Sequence, residues 1–298
     1  MQLARFGLFL IAGSLTLVSS CSPGHQDMET TLHEILAQYP EATVGISVRD
    51  LETGTAFDYN SGRVFHAAST MKVPVMIEVF RQAEEGRFSL DDSLLVTNEF
   101  RSIVDGSAYT LDTVDDSDTE VYAMADKRVP IRWLVDRMIT VSSNLATNIL
   151  IEFVGADSVQ TTIERLGTMT MHVYRGVEDL KAFDQGLNNT ATAEDLAALM
   201  QALAQGRAVS PQADSVMVEV LLRQQFRDII PAGLPTNVRV AHKTGSITRI
   251  HHDAAIVYPP ARKPYVLVVL TEGVEDGARS ARLGAEIASV MHTFLTGA

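Results

Sequence analysis

The sequence predicts an α+β fold: an antiparallel sheet flanked by helices, plus an all-helical lobe. Three observations predict it. A helical stretch and an alternating hairpin come early, helical spacing fills the middle, and strand patterns return near the end. That order does not fit a repeating βαβ unit. With 298 residues, 46% of them hydrophobic and 20% charged, the chain has the composition of a globular protein and length for two lobes.

The elements follow in order. Residues 1–20 read as a leader rather than as fold. Arg5 is a short basic region, and Phe6 to Val18 is apolar but short for a membrane span. The run Val18-Ser19-Ser20-Cys21 resembles a bacterial lipoprotein signal, cleaved before Cys21, whose thiol is then lipidated. A plain secretory peptide cut nearby is the other reading. Cys21 is the one cysteine, so the chain has no intramolecular disulfide and no cysteine-based metal site. Residues 21–26 read as a tether.

Thr30 to Tyr39 carries Leu32, Ile35 and Leu36 at helical spacing, stopped by Pro40. Thr43 to Arg49 alternates as a strand, and Glu52-Thr53-Gly54 turns the chain into a returning strand at Thr55 to Tyr59. Ser69 then opens a helix that ends at Gly86. Asp105 to Asp126 is acidic, without the spacing or glycine of a calcium loop, and reads as a solvated loop. Helices follow over Ile131 to Ile139, with Trp133 facing inward, over Leu145 to Val154, and after the capping Thr192. Tyr174 to Asn189 has no period and reads as a long ordered loop. Strands return at Asn237 to His242, Asp253 to Tyr258 and Tyr265 to Leu270, and Ala278 to Phe294 closes the chain as an amphipathic helix.

Chemistry concentrates at Ser69 and Lys72. At i and i+3 of a helix the two side chains share one face, about 5–6 Å apart at Cβ. A serine needs a base to become a nucleophile. A helix N-terminus disfavours an ammonium, which pushes Lys72 toward the neutral form, and its free N–H groups suit an oxyanion. Ser142-Ser143-Asn144 follows 73 residues later (142 − 69), and Lys243-Thr244-Gly245 after another 101 (243 − 142).

The order and spacing of these motifs resemble the penicillin-recognising serine enzymes, β-lactamases and D,D-peptidases, and the chain is most similar to the class A-related serine hydrolases. The stretch from His242 through Asp253-Ala254-Ala255-Ile256-Val257 to Pro259-Pro260 carries the likeness into the last strands. The resemblance implies a β-lactamase/transpeptidase-like fold over 27–298, with a sheet lobe (27–68 and 225–298), a helical lobe (69–224) and the active site between them. It implies that Ser69 is acylated, Lys72 moves its proton, and Ser142 passes a proton to the leaving nitrogen. Asn144 would fix Lys72 and the substrate amide. Lys243 would lower the pKa of Lys72 and, with Thr244, hold a substrate carboxylate. Gly245 would let the strand approach the ligand, and the N–H groups of Ser69 and Ser246 would form an oxyanion hole.

Two departures stand out. Ser143 replaces the usual aspartate, at a position that is mainly structural. On the long loop Glu178, read as either the deacylating base or a surface carboxylate, stands one residue late after Arg175. There Lys181 replaces an asparagine and Asn189 the closing aspartate, so an ion pair with Arg175 is lost. Asp179 and Asp184 are the other carboxylates there. His251 or His252 could supplement the carboxylate-binding wall, or serve as a strand histidine with a backbone partner. No metal or phosphate motif is present, and no cofactor is expected. The net charge of −13 argues against nucleic acid and anionic lipid as partners. The reading is a monomeric, periplasmic, lipid-anchored serine β-lactamase taking a small β-lactam or related acyl substrate. A D,D-peptidase, a serine esterase, or a penicillin-binding lipoprotein without turnover are the alternatives.

Overall fold

A computed structural model describes residues 23–297. Five strands form one antiparallel sheet: β1 (Thr43–Asp50), β2 (Ala56–Tyr59), β3 (Arg239–Ile247), β4 (Ile250–Tyr258) and β5 (Tyr265–Glu272), in the order β2-β1-β5-β4-β3. The central strand β5 is fully buried from Tyr265 to Leu270, which accounts for its near-continuous apolar sequence.

The period-2 alternation assigns side chains to two cores. Val44, Ile46, Val48, Leu267 and Val269 pack with Leu32 of α1 (Pro23–Leu36) and Leu283, Ile287 and Met291 of α9 (Gly277–Thr296). Val266, Val268, Leu270, Ala254 and Ile256 face the other way, into the core shared with Leu196 and Met200 of α7 (Ala193–Ala204). The remaining helices complete the second lobe: α2 (Lys72–Glu84), α3 (Ile131–Thr140), α4 (Asn144–Val154), α5 (Ala156–Arg165), α6 (Leu180–Asp184) and α8 (Pro211–Leu221). Each fully buried Val, Leu or Ile contributes about 1.5–3 kcal/mol, so sheet and helices are joined by burial over both faces.

Three expectations change, and one falls where the structure does not reach. Cys21 and the leader lie outside the described residues. Helix α1 starts at Pro23, so most of the stretch read as a tether is helical. Proline is tolerated in a first turn, where its missing N–H has no partner to lose. Ser69 lies in a 3₁₀ turn, Ala68–Met71, and the α-helix proper begins at Lys72. The acidic loop is not uniformly solvated, because Asp116 and Asp118 are buried. Helices α5, α6 and α8 add to those expected individually; α8 is capped by Ser210, whose side chain accepts from the Ala213 N–H, and has Pro211 in its first turn.

Candidate active site

The turn that carries Ser69 is held from three sides. Thr70 donates to the Ala67 carbonyl through its backbone N–H (3.1 Å) and its hydroxyl (2.6 Å). His66 Nδ1 accepts from the Ala68 N–H at 3.0 Å. His252 accepts from the Thr271 N–H on Nδ1 (3.2 Å), so its Nε2–H donates to the His66 carbonyl (3.0 Å). Burial pushes His252 down to about 4, which keeps this tautomer neutral. His252 is therefore a strand histidine with a backbone partner. Strand β3 lies against the same turn. A Cβ on Gly245 would stand 3.1 Å from both the Ser69 and the Thr70 nitrogen. The glycine serves close approach to the Ser69 backbone.

Lys72 is fully buried. Its Nζ donates to the Ser142 carbonyl (2.7 Å), the Ser142 Oγ (3.2 Å) and Asn144 Oδ1 (2.8 Å). Burial lowers it to about 7, against the charges of Asp116 and Glu178. The cause is thus burial first, rather than the helix N-terminus expected from the sequence. Lys243 is buried beside it and donates to the Ser142 Oγ at 3.0 Å and to the Thr244 carbonyl at 2.7 Å. Burial and then the charge of Lys72 hold Lys243 well below the usual lysine range, with Asp253 opposing. One hydroxyl, Ser142 Oγ, thus joins both lysines.

Ser142 sits between α3 and α4 with φ of 61°, a left-handed conformation that costs a non-glycine residue about 1–3 kcal/mol. Ser143 is the N-cap of α4, its side chain accepting from the Ala146 N–H. Asn144 links the two halves of the site: Oδ1 takes Lys72, and Nδ2 donates to Glu178 Oε1 at 2.7 Å. Glu178 also has a left-handed backbone, φ 63°. Its carboxyl is raised by burial, with Asp116 and Asp115 pushing the same way and the Asn144 amide and Lys72 opposing. Its neighbour Val177 is pinned by Asn148, which accepts from the Val177 N–H (2.6 Å) and donates to the Val177 carbonyl (2.9 Å).

The other loop residues have structural partners. Asp179 is buried and accepts from Ser102 Oγ, the Ile103 N–H and the Ala182 N–H, so it is a cap rather than a base. Asp184 is exposed in α6. Lys181 pairs with Asp105 at 2.7 Å. Ser69, Ser142, Asn144, Thr244 and Ser246 line one cleft of about 460 Å³. Asp115, Asp228 and His251 also line it. Of these, Asp115 and Asp228 carry no motif that singles them out in the sequence. His251 pairs with Ser246 across β3 and β4, and its buried Nδ1 has no partner. Burial lowers its pKa while Asp228 opposes. A larger cavity, about 820 Å³, lies among α2, α3 and α8, floored by Phe80, Trp133 and Val220, and no motif residue reaches it. Among the described residues no group of three or more side chains suits a metal ion, and no helix is long and apolar enough to cross a membrane.

Known proteins match this chain in sequence and fold. The model of the beta-lactamase enzyme family matches residues 27–295. A β-lactamase of Streptomyces albus G is 26% identical over 255 residues, covering 84% of this chain and 79% of the relative. The crystal structure of a β-lactamase from Sphaerobacter thermophilus superposes with a TM-score of 0.75 at 27% identity, covering 90% of this chain and 96% of that one. The structure of PBP-A shares the fold, with a TM-score of 0.78 at 24% identity over 91% of this chain and 97% of that one. The chain belongs to the beta-lactamase enzyme family, as a serine hydrolase of the class A type.

Proposed function

We propose that this chain hydrolyses the β-lactam amide through a Ser69 acyl-enzyme. The observation that carries the reading is a buried lysine, held near pKa 7, in one hydrogen-bonded network with Ser142, Asn144, Glu178 and Lys243. A lysine near neutrality accepts a proton at physiological pH, as a general base must.

Ser69 Oγ attacks the lactam carbonyl and its proton passes to neutral Lys72. The oxyanion is held by the backbone N–H groups of Ser69 and Ser246. Ser142, joined to both lysines, delivers its proton to the lactam nitrogen as the C–N bond breaks and takes the proton held by Lys72 in its place. Lys243 and Thr244 receive the substrate carboxylate. Glu178 then takes a proton from the water that attacks the Ser69 ester and gives it up to the departing Ser69 Oγ, so the acid leaves with Ser69 and Glu178 regenerated. The raised pKa of Glu178 suits it to this role.

A penicillin adduct mapped by peptide mass should fall on Ser69, and a chromogenic cephalosporin should show steady turnover beyond the burst. An adduct on Ser142, or on no serine, defeats the mechanism. A burst without turnover replaces hydrolysis of β-lactams by the peptidase, esterase or penicillin-binding reading, which shares the first half of the chemistry. We also propose that Cys21 is lipidated and anchors the protein on the periplasmic side of a membrane. Cys21→Ala should then move it from the membrane to the soluble fraction, and unchanged fractionation would count against the anchor.

A further inference from the structure

Three consecutive residues of the acidic loop grip the turn that presents Ser142 and Asn144. Asp116 Oδ2 accepts from the Asn144 and Leu145 backbone N–H groups, both at 2.9 Å. Ser117 Oγ donates to the Val141 carbonyl at 2.5 Å. Asp118 forms a two-bond pair with Arg137 of α3, Oδ2 to Nε at 2.9 Å and Oδ1 to Nη2 at 2.6 Å. The loop therefore binds the last turn of α3, the connection, and the first turn of α4. Between these grips lies Ser142 in its left-handed conformation. Such a conformation persists only where the surroundings over-determine it.

We infer that Asp116 is a positioning residue of the active site: from the neighbouring loop it supplies the carboxylate that the second motif lacks at Ser143, fixing Asn144 and Ser142. The Ser143 side chain satisfies one N–H of α4, that of Ala146. Asp116 takes two more, and its carboxylate stays fixed because its other oxygen accepts the Asp118 N–H at 3.1 Å. A carboxylate at a helix N-terminus also interacts favourably with the helix dipole. Asp116 acts on the chemistry through Asn144, whose side chain holds both Lys72 and Glu178. The charge of Asp116 also favours the protonated forms of both groups.

The inference rests on Ser69 acylation for its kinetic readout, so a second readout is independent of activity. The test compares the parent, Asp116→Asn, Asp118→Asn, and Asp116→Asn combined with Ser143→Asp. Amide hydrogen exchange over residues 141–150 reads the turn, and single-turnover acylation by a chromogenic cephalosporin reads the site. Asp116→Asn should raise exchange at the start of α4 and slow acylation about tenfold or more. It should also shift the acid limb of the acylation rate to lower pH, because loss of the negative charge lowers the pKa of the base. The double variant should restore protection and bring acylation to within about fivefold of the parent. Asp118→Asn should lower thermal stability without moving the acid limb.

Parent-like exchange and acylation in Asp116→Asn would overturn the inference, and so would a double variant that stays impaired. Equal loss in Asp116→Asn and Asp118→Asn, with no movement of the acid limb, would show a merely structural loop and overturn it too. If Asp116→Asn does not fold, the double variant decides alone: folded and active it supports the inference, unfolded or inactive it defeats it. If the parent is not acylated, the functional reading falls and amide exchange still decides the positioning role.

Discussion

Ser142 and Glu178 both have a left-handed φ, 61° and 63°, and both stand one contact from Asn144 or Lys72, but the segments that carry them are held by different chemistry. The Ser142 turn is gripped by charge. Asp118 is 1% exposed and paired with Arg137, and the buried Asp116 carboxylate takes two backbone N–H groups. Before Glu178 the long loop is gripped by amides, while just after it Asp179 and Lys181 tie the chain to residues 102–105 by charge. Asn148 pins Val177, and Asn189 pins the backbone at Tyr174 and Arg175. Charge-assisted bonds are roughly twice as strong as neutral ones. Removing one partner of a buried pair costs about 3–5 kcal/mol, against about 1–3 for an unsatisfied neutral group. The Ser142 turn is thus closed by charge, and the segment just before Glu178 by bonds that do not titrate.

Replacing Glu178 sharpens this contrast most. Glu178→Gln keeps the shape and an acceptor for the Asn144 amide but removes the base. Acylation should survive as a burst, while steady turnover of a chromogenic cephalosporin falls by about 10²–10⁴-fold. The acyl-enzyme should then accumulate and be visible by intact mass. The sign of the pH effect follows from the raised carboxyl. Glu178 acts when ionised, so parent turnover should rise with pH through a value above the ordinary glutamate range, and this limb should vanish in the variant. Turnover within about threefold of the parent would leave Glu178 as a bystander beside Asn144.

Much of this contrast was legible in the sequence on one side and little on the other. The strands were legible because alternation in Thr43–Asp50 and Tyr265–Glu272 maps onto two buried faces. Ser69, Lys72, Ser142, Asn144 and Lys243 were legible as motifs, and the structure brings them together. The reason for the lowered pKa of Lys72 was not legible, since burial depends on how α2, α4 and β3 pack. Asp116 and Asp118 looked like their solvated neighbours because hydrogen bonds to backbone N–H groups leave no period in a sequence. The one-residue offset of Glu178 was also ambiguous. Only the backbone shows that it still reaches Asn144 while Asp179 turns away to cap α6.

The smallest expected effect concerns Asn189, where the sequence suggested an ion pair lost with Arg175. The structure places the Asn189 side chain against the backbone instead. Oδ1 accepts from the Tyr174 and Arg175 N–H groups at 2.8 and 3.2 Å, and Nδ2 donates to the Arg175 carbonyl at 2.8 Å. The Arg175 guanidinium is occupied elsewhere, with the Leu187 carbonyl (3.0 Å), the Gly176 carbonyl (2.9 Å) and Asn188 Oδ1 (3.2 Å). Asn189→Asp therefore does not restore a pair. It sets an ionised oxygen against the Arg175 carbonyl and strands a buried acceptor, at a cost of about 1–3 kcal/mol. A protonated aspartic acid could still donate to that carbonyl, so folding raises the pKa of the introduced group. Its stabilising contribution is present below the unfolded pKa and is lost as pH rises through the folded one. Thermal unfolding should show Asn189→Asp below the parent by about 2–4 °C per kcal/mol at pH 8, with the gap narrowing toward pH 4. A variant more stable than the parent at pH 8 would mean that Arg175 turns to meet the new carboxylate, and that charge closes this segment of the loop too.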